Sequence, residues 1–140
     1  MATLEFGGIE DTQLSFEEMA NLPTSVLDEM LEAAAEVVVE AQKKYAKSYG
    51  LNDTGMMIDS IKATNPKSTS DGRALYVYPQ GSRTRYSTGK STRNAAIGFY
   101  NEYGYKSRAA RPWMETANAQ CEDEARAAAE EVFNSYIGSK

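Results

Sequence analysis

Residues 23–50 read PTSVLDEMLEAAAEVVVEAQKKYAKSYG, and this stretch decides the fold class. Leu27, Leu31, Ala34, Val38, Ala41 and Tyr45 step by 4, 3, 4, 3 and 4 residues, the spacing of one apolar stripe on a helix. Thr24 or Ser25 is placed to cap the first N–H groups. Asp28, Glu29 and Glu32 near the start, and Lys43, Lys44 and Lys47 near the end, suit the helix dipole. Gly50 then stops the helix. The spacing predicts a first long helix over residues 24–48.

A second helix is framed by Pro112 as its first-turn residue and Gly138 just past its end. Met114, Ala117, Cys121, Ala125, Ala128, Val132 and Tyr136 form its apolar stripe, with Glu115 in the first turn. This predicts a C-terminal helix over 112–137. Its many alanines allow close approach to a neighbour, within the chain or across an interface. Cys121 lies on the stripe and reads as a small packed apolar residue.

Shorter, strand-like pieces lie between the helices. Ala74–Tyr78 is β-branched and aromatic, with Leu75 and Val77 facing one way and Tyr76 and Tyr78 the other. Pro79 and Gly81 end it. Ala95–Phe99 reads as a second strand that can pass into a helical turn through Tyr100 and Tyr103. Ile61–Thr64 and Leu4–Phe6 are weaker candidates. Residues 52–55 (Asn-Asp-Thr-Gly) make a turn, with Asp53 or Thr54 placed to cap a short helix through Met57 and Ile58. Residues 80–94 form a long polar loop, of the kind that is usually functional or disordered when free.

These pieces predict an α+β fold: a small, mostly antiparallel sheet of three to four strands packed against two long helices, with a projecting loop. The organisation is one domain over residues 1–140. An acidic N-terminal arm (1–22) leads into the helix 24–48. A strand-loop-strand unit (74–99) carries an arm at 80–94, and the helix 112–137 closes the chain. Open sheet edges and outward-facing tyrosines are what a subunit interface would use.

A chain of 140 residues buries roughly 68–70% of its unfolded surface on folding and needs no metal or disulfide staple. The 41% apolar and 25% charged composition is that of an ordinary globule. There is no histidine, which removes His-based triads, His general bases and most catalytic zinc arrangements. A single cysteine excludes an intrachain disulfide framework. With no apolar run long enough to span a bilayer and nothing like a secretory signal, the expectation is a soluble protein of a reducing compartment.

The net charge of −5 conceals three blocks: −10 over residues 1–42, +9 over 43–111 and −4 over 112–140. One explanation is an acidic helix neutralised by a basic loop within the monomer. The other is an acidic face and a basic face that meet in a head-to-tail assembly.

Gly89-Lys90-Ser91-Thr92 looks like the end of a phosphate-binding loop, but the position that needs the earlier glycine is Thr84. Arg83, Arg85, Lys90 and Arg93, with Tyr86 among them, could track a phosphate backbone and stack a base. The same loop could instead dock on a neighbouring subunit's acidic surface. A small nucleic-acid-binding module is thus the alternative function. Asp53, Asp59 and Glu102 form no paired motif. No catalytic, cofactor-binding or metal-ligating residue can be nominated, and the expectation is a protein that is not an enzyme.

The segment from Ala95 to Ala117 carries Phe99-Tyr100-Asn101-Glu102-Tyr103-Gly104, a short loop, then Ala110-Arg111-Pro112-Trp113-Met114 and Ala117. It resembles the small neck and tail-completion proteins of long-tailed bacteriophages, also described as minor tail or head–tail joining components. Their pattern is an aromatic-Glu-aromatic-Gly turn, a variable loop, then Arg-Pro-aromatic-aliphatic at the start of the last helix. Upstream, Thr54-Gly55 followed by Ser60-Ile61 looks like that family's Thr-Gly turn. The order of elements matches over residues 22–137, with Trp113 standing where Phe is the commoner residue. The resemblance implies a structural virion protein, part of a sixfold or twelvefold ring at the neck or tail. Its partners would be copies of itself, connector or head-closure proteins, and tail-terminator or tail-tube proteins. DNA would pass through the lumen without sequence-specific binding, with no membrane and no cofactor involved. The chain would be made in the host cytoplasm and end in the virion. Glu102 would hold the turn by accepting backbone N–H bonds or by pairing with Arg111.

Overall fold

The computed structural model describes residues 4–6, 12–17, 22–51, 55–70, 72–84, 91–106 and 108–138. The order of elements is β1 (Leu4–Phe6), β2 (Thr12–Glu17), α1 (Thr24–Ser48), α2 (Met56–Asp59), β3 (Ile61–Ala63), β4 (Lys67–Thr69), β5 (Gly72–Pro79), β6 (Ser82–Thr84), β7 (Ser91–Arg93), α3 (Asn94–Tyr103) and α4 (Trp113–Gly138). The class is α+β, as the two periodicities required.

The main sheet has five strands, all antiparallel, with β5 paired to β2 on one edge and to β3 and β4 on the other. β3 and β4 behave as one interrupted strand. Between them, Thr64 donates its N–H to the Tyr76 carbonyl, and its hydroxyl accepts the Tyr76 N–H at 2.9 Å. The 1–22 segment is therefore more than an acidic arm: β1 and β2 form a hairpin whose second strand pairs along β5. β1 is the weaker strand candidate Leu4–Phe6, whereas β2 was not foreseen and takes the sheet to five strands. The registers Thr12↔Val77, Leu14↔Leu75 and Phe16↔Arg73 put one apolar row on the face toward α1.

That face supplies half of the core. Leu14, Leu75, Val77 and Ile61 are buried from the sheet side, and Leu27, Leu31, Ala34 and Val38 from α1. Arg73 shares the inward row, and its guanidinium grips Asp28 of α1 through paired bonds of 2.8 and 2.9 Å. Tyr76 and Tyr78 lie on the opposite face but are only half-buried, and the Lys67 ammonium sits 5.0 Å from the Tyr76 ring. They are not the open tyrosine surface predicted.

α4 packs antiparallel along α1: Tyr49 meets Thr116 at 3.2 Å, and Gln42 meets Asn118. Met114, Ala117, Cys121, Ala125 and Ala129 are buried, so small side chains let the helices approach closely. Both stripes rotate slightly from their predicted course. Ala41, Tyr45, Ala128, Val132 and Tyr136 are half-buried, while Gln42, Ala46 and Ala129 go inside. Gln42 is accommodated by a polar triangle in which its Nε2 donates to Thr12 Oγ1 and Asn118 Oδ1, and Asn118 Nδ2 donates to the same hydroxyl. Helix α1 starts after Pro23 with no side-chain cap bond, so neither Thr24 nor Ser25 performs the capping expected of it. Gly50 ends it at φ 77°, as expected.

The largest departure concerns residues 95–99. They are helical, not a strand, and the partner of the post-β5 segment is β7. The predicted strand-loop-strand of 74–99 is thus a β strand, a separate β6–β7 hairpin and then α3.

Candidate functional site

The residues that carry the resemblance converge where α3 meets α4. Pro112, which has no N–H to leave unpaired, caps α4, and its carbonyl accepts the Thr116 N–H at 3.1 Å. The helix proper begins one residue later than predicted, at Trp113. Every helix start leaves four N–H groups without helical partners. Here Glu102, reaching in from the last turn of α3, accepts the N–H of Met114 on Oε1 at 2.7 Å and that of Glu115 on Oε2 at 3.3 Å. One carboxylate thus performs from a neighbouring helix what a local Ser or Asp cap usually does.

Of the two roles open to Glu102, backbone capping is the one observed. Arg111 is exposed, and among the described residues no ion pair joins it to Glu102. Glu102 is only 4% exposed. Burial pushes its carboxyl above the ordinary glutamate value, outweighing the two N–H bonds that favour the charged form.

Trp113 is fully buried, and its indole Nε1–H donates to the Gly98 carbonyl at 3.0 Å. Gly98 is required by this approach: a Cβ there would stand 3.0 Å from Trp113 Cζ2 and 3.3 Å from Pro79 Cγ. Gly104 has φ 85° and ψ 162°, a region open essentially to glycine alone. A Cβ on it would meet the Arg108 carbonyl oxygen at 2.9 Å. The chain then folds back, and the Arg111 N–H reaches the Asn101 carbonyl.

The upstream motif joins the same region. Gly55, at φ 75°, opens α2; Thr54 and Asp53 lie outside the described residues. Ser60 closes α2 through its hydroxyl on the Met57 carbonyl at 2.6 Å, and Ile61 is buried. The Met57 sulfur borders the space beside Gly98. Ala117 is buried one turn into α4.

The projecting arm is a short ladder, β6 pairing β7 with Arg83 opposite Thr92 and Arg93 opposite Ser82. Its base is clamped by Asn94, whose N–H binds the Gly81 carbonyl and whose Nδ2 binds the Gln80 carbonyl, both at 2.9 Å. Arg93 is exposed; Arg85, Tyr86 and Lys90 lie outside the described residues, as does the side chain of Arg83. Ser91 and Thr92 belong to a strand, so the Gly89-Lys90 pair does not open directly into a helix.

One surface was missed by the sequence reading. Phe99, Tyr100, Tyr103 and Tyr105 are 42–49% exposed on α3 and the turn after it. Ring centroids are 4.8 Å apart for Phe99–Tyr103 and 4.7 Å for Tyr100–Tyr105. The signal was the helical spacing of 99, 100 and 103, which a strand assignment hides. Among the described residues no group of three or more Cys, Asp or Glu side chains is arranged to hold a metal ion. Among the described residues no helix is long and apolar enough to cross a membrane. No family model, curated protein or solved structure matches this chain.

Proposed function

We propose that this chain is a structural protein of a long-tailed bacteriophage, a component of the neck or tail-completion ring that joins the capsid-side connector to the tail. The observation that carries the reading is the α3–α4 corner. The motif residues of the resemblance that are described take structural roles around one junction: Glu102 as cap, Gly104 as turn, Trp113 as plug and Ala117 as close contact. Their polar groups pair with backbone N–H and carbonyl groups, which favours a scaffold over an enzyme.

In this reading the chain is made in the host cytoplasm and works in the virion, in a sixfold or twelvefold ring with DNA passing through its lumen. Its neighbours are a connector or head-closure protein on one side and a tail-terminator or tail-tube protein on the other. The β6–β7 arm, anchored by Asn94, is the element that reaches a neighbouring subunit or ring.

Removing the gene from the phage that encodes it tests the proposal. Electron microscopy should show filled heads and separate tails, and adding the purified chain to such a lysate should restore joined, infective particles. Joined particles formed in its absence would overturn it.

A further inference from the structure

The antiparallel pairing of α1 with α4 sorts charge by end of the molecule. Exposed Glu29, Glu32 and Glu36 on the first half of α1 lie toward the end where α4 finishes with exposed Glu130 and Glu131. Lys44 and Lys47, exposed on the last turns of α1, lie at the other end, where α4 begins. Lys106, Arg108 and Arg111, all exposed, precede the start of α4. About 22 Å of helix separates Glu32 from Lys47, further than exposed charges act through physiological salt. Lys47 therefore takes no part in neutralising that flank; the nearer bases are Arg73, already paired with Asp28, and Lys43 and Lys62, which border the same depression as Glu32 and Glu36. Among the described residues no ion pair links the three α1 glutamates to a base.

The basic end also carries the aromatic cluster. Exposed apolar side chains normally scatter singly over a soluble surface, and a contiguous group marks an interaction site. Aromatic rings ringed by arginine are the composition of interface centres. Here the Lys106 ammonium already lies 5.3 Å from the Tyr105 ring, and Lys106 holds a left-handed conformation, φ 53°, in the tight turn bridged by Tyr105 and Arg108.

We infer that the aromatic-basic corner of one copy, centred on Tyr100, Tyr105 and Arg108, docks on the acidic α1 flank of the next copy. The occupant is a second copy because this chain itself presents the complementary charge, on exposed α1 glutamates that no ion pair among the described residues occupies. Two different patches in contact make a heterologous, propagating joint, the type that closes into rings. On the ring reading above, on which it rests, this joint is the subunit–subunit seam. Because it is largely electrostatic, it is weak in the free protein and strengthened on a templating partner.

Sedimentation equilibrium of the full chain tests it. Self-association should be measurable at about 50 mM salt and fall at least about tenfold at about 500 mM. The triple variants Lys106→Glu/Arg108→Glu/Arg111→Glu and Glu29→Lys/Glu32→Lys/Glu36→Lys should each be monomeric at low salt. An equimolar mixture of the two should associate again, since each reversed patch then meets a complementary one; misfolded variants could not produce that rescue. Tyr100→Ser should weaken association without lowering the melting temperature. A parent chain that stays monomeric at millimolar concentration and low salt would overturn the inference and assign the corner to another protein. So would salt-resistant association, a mixture that fails to rescue, or a Tyr100→Ser variant that associates like the parent. Absence of the chain from virions would sink the ring reading while leaving this measurement untouched.

Discussion

The Trp113 indole and the Gly98 backbone fit each other as ring and slot: Nε1–H donates to the Gly98 carbonyl at 3.0 Å, and the ring occupies the space a Cβ on residue 98 would need. The pair locks the first turn of α4 onto α3, and with it the geometry that lets Glu102 reach the N–H groups of Met114 and Glu115.

Trp113→Ala should therefore destabilise the fold by about 3–5 kcal/mol, the range for large aromatic truncations in a core. Gly98→Ala should destabilise as well, since the ring and Pro79 both crowd the new methyl. Trp113→Phe in the Gly98→Ala background should recover part of that loss, because the six-membered ring alone is smaller than an indole. Urea denaturation of the double-mutant cycle checks the coupling; strictly additive losses would mean that ring and glycine do not share the space.

The glutamate cap gives a pH signature. Burial raises the folded carboxyl above its ordinary value of 4.5, so the protonated form is the one favoured by folding. That contribution is complete below the ordinary value and disappears as pH rises through the raised one. Glu102→Gln keeps an acceptor for Met114 and does not titrate. Its stability relative to the parent should therefore be constant at low pH, climb as pH rises above 4.5 and then level off. A difference that is flat above 4.5 and instead falls as pH rises toward 4.5 from below would show that the charged cap is favoured.

Cys121 is 4% exposed, and burial, with the charges of Glu124 and Glu122, pushes its thiol up to about 11. In the native chain at pH 8 it should resist a disulfide reagent, then titrate as a single thiol once denaturant is added. Fast native labelling would place α4 away from α1.

The arm should be separable from the core. Charge reversal at Arg83, Arg85 and Arg93 should leave the melting temperature of the monomer nearly unchanged while blocking assembly of particles. Particles that assemble but fail to retain or eject DNA would assign the arm to the lumen instead of to protein contact.

The two long helices were legible because their stripes repeat over many turns, and β5 was legible from the alternation of Leu75 and Val77 with Tyr76 and Tyr78. Strand β2 was hidden by its acidic surroundings, although Thr12, Leu14 and Phe16 alternate with polar residues and do face α1. Residues 95–99 misled because a five-residue run containing Ile97, Gly98 and Phe99 suits either periodicity. Long-range contacts decide its state: Asn94 clamps the arm, Gly98 receives Trp113 and Glu102 caps α4. The surface cluster of Phe99, Tyr100, Tyr103 and Tyr105 became visible only when α3 did.

The proposed function is tested most directly by the copy number of this chain in purified virions, measured by quantitative mass spectrometry against the major tail-tube protein and combined with gold-labelled antibody. A neck or tail-completion ring predicts a fixed number, six or twelve per particle, with gold at the head–tail junction. Particles that lack the chain, or carry it at variable number over the capsid, would contradict that account.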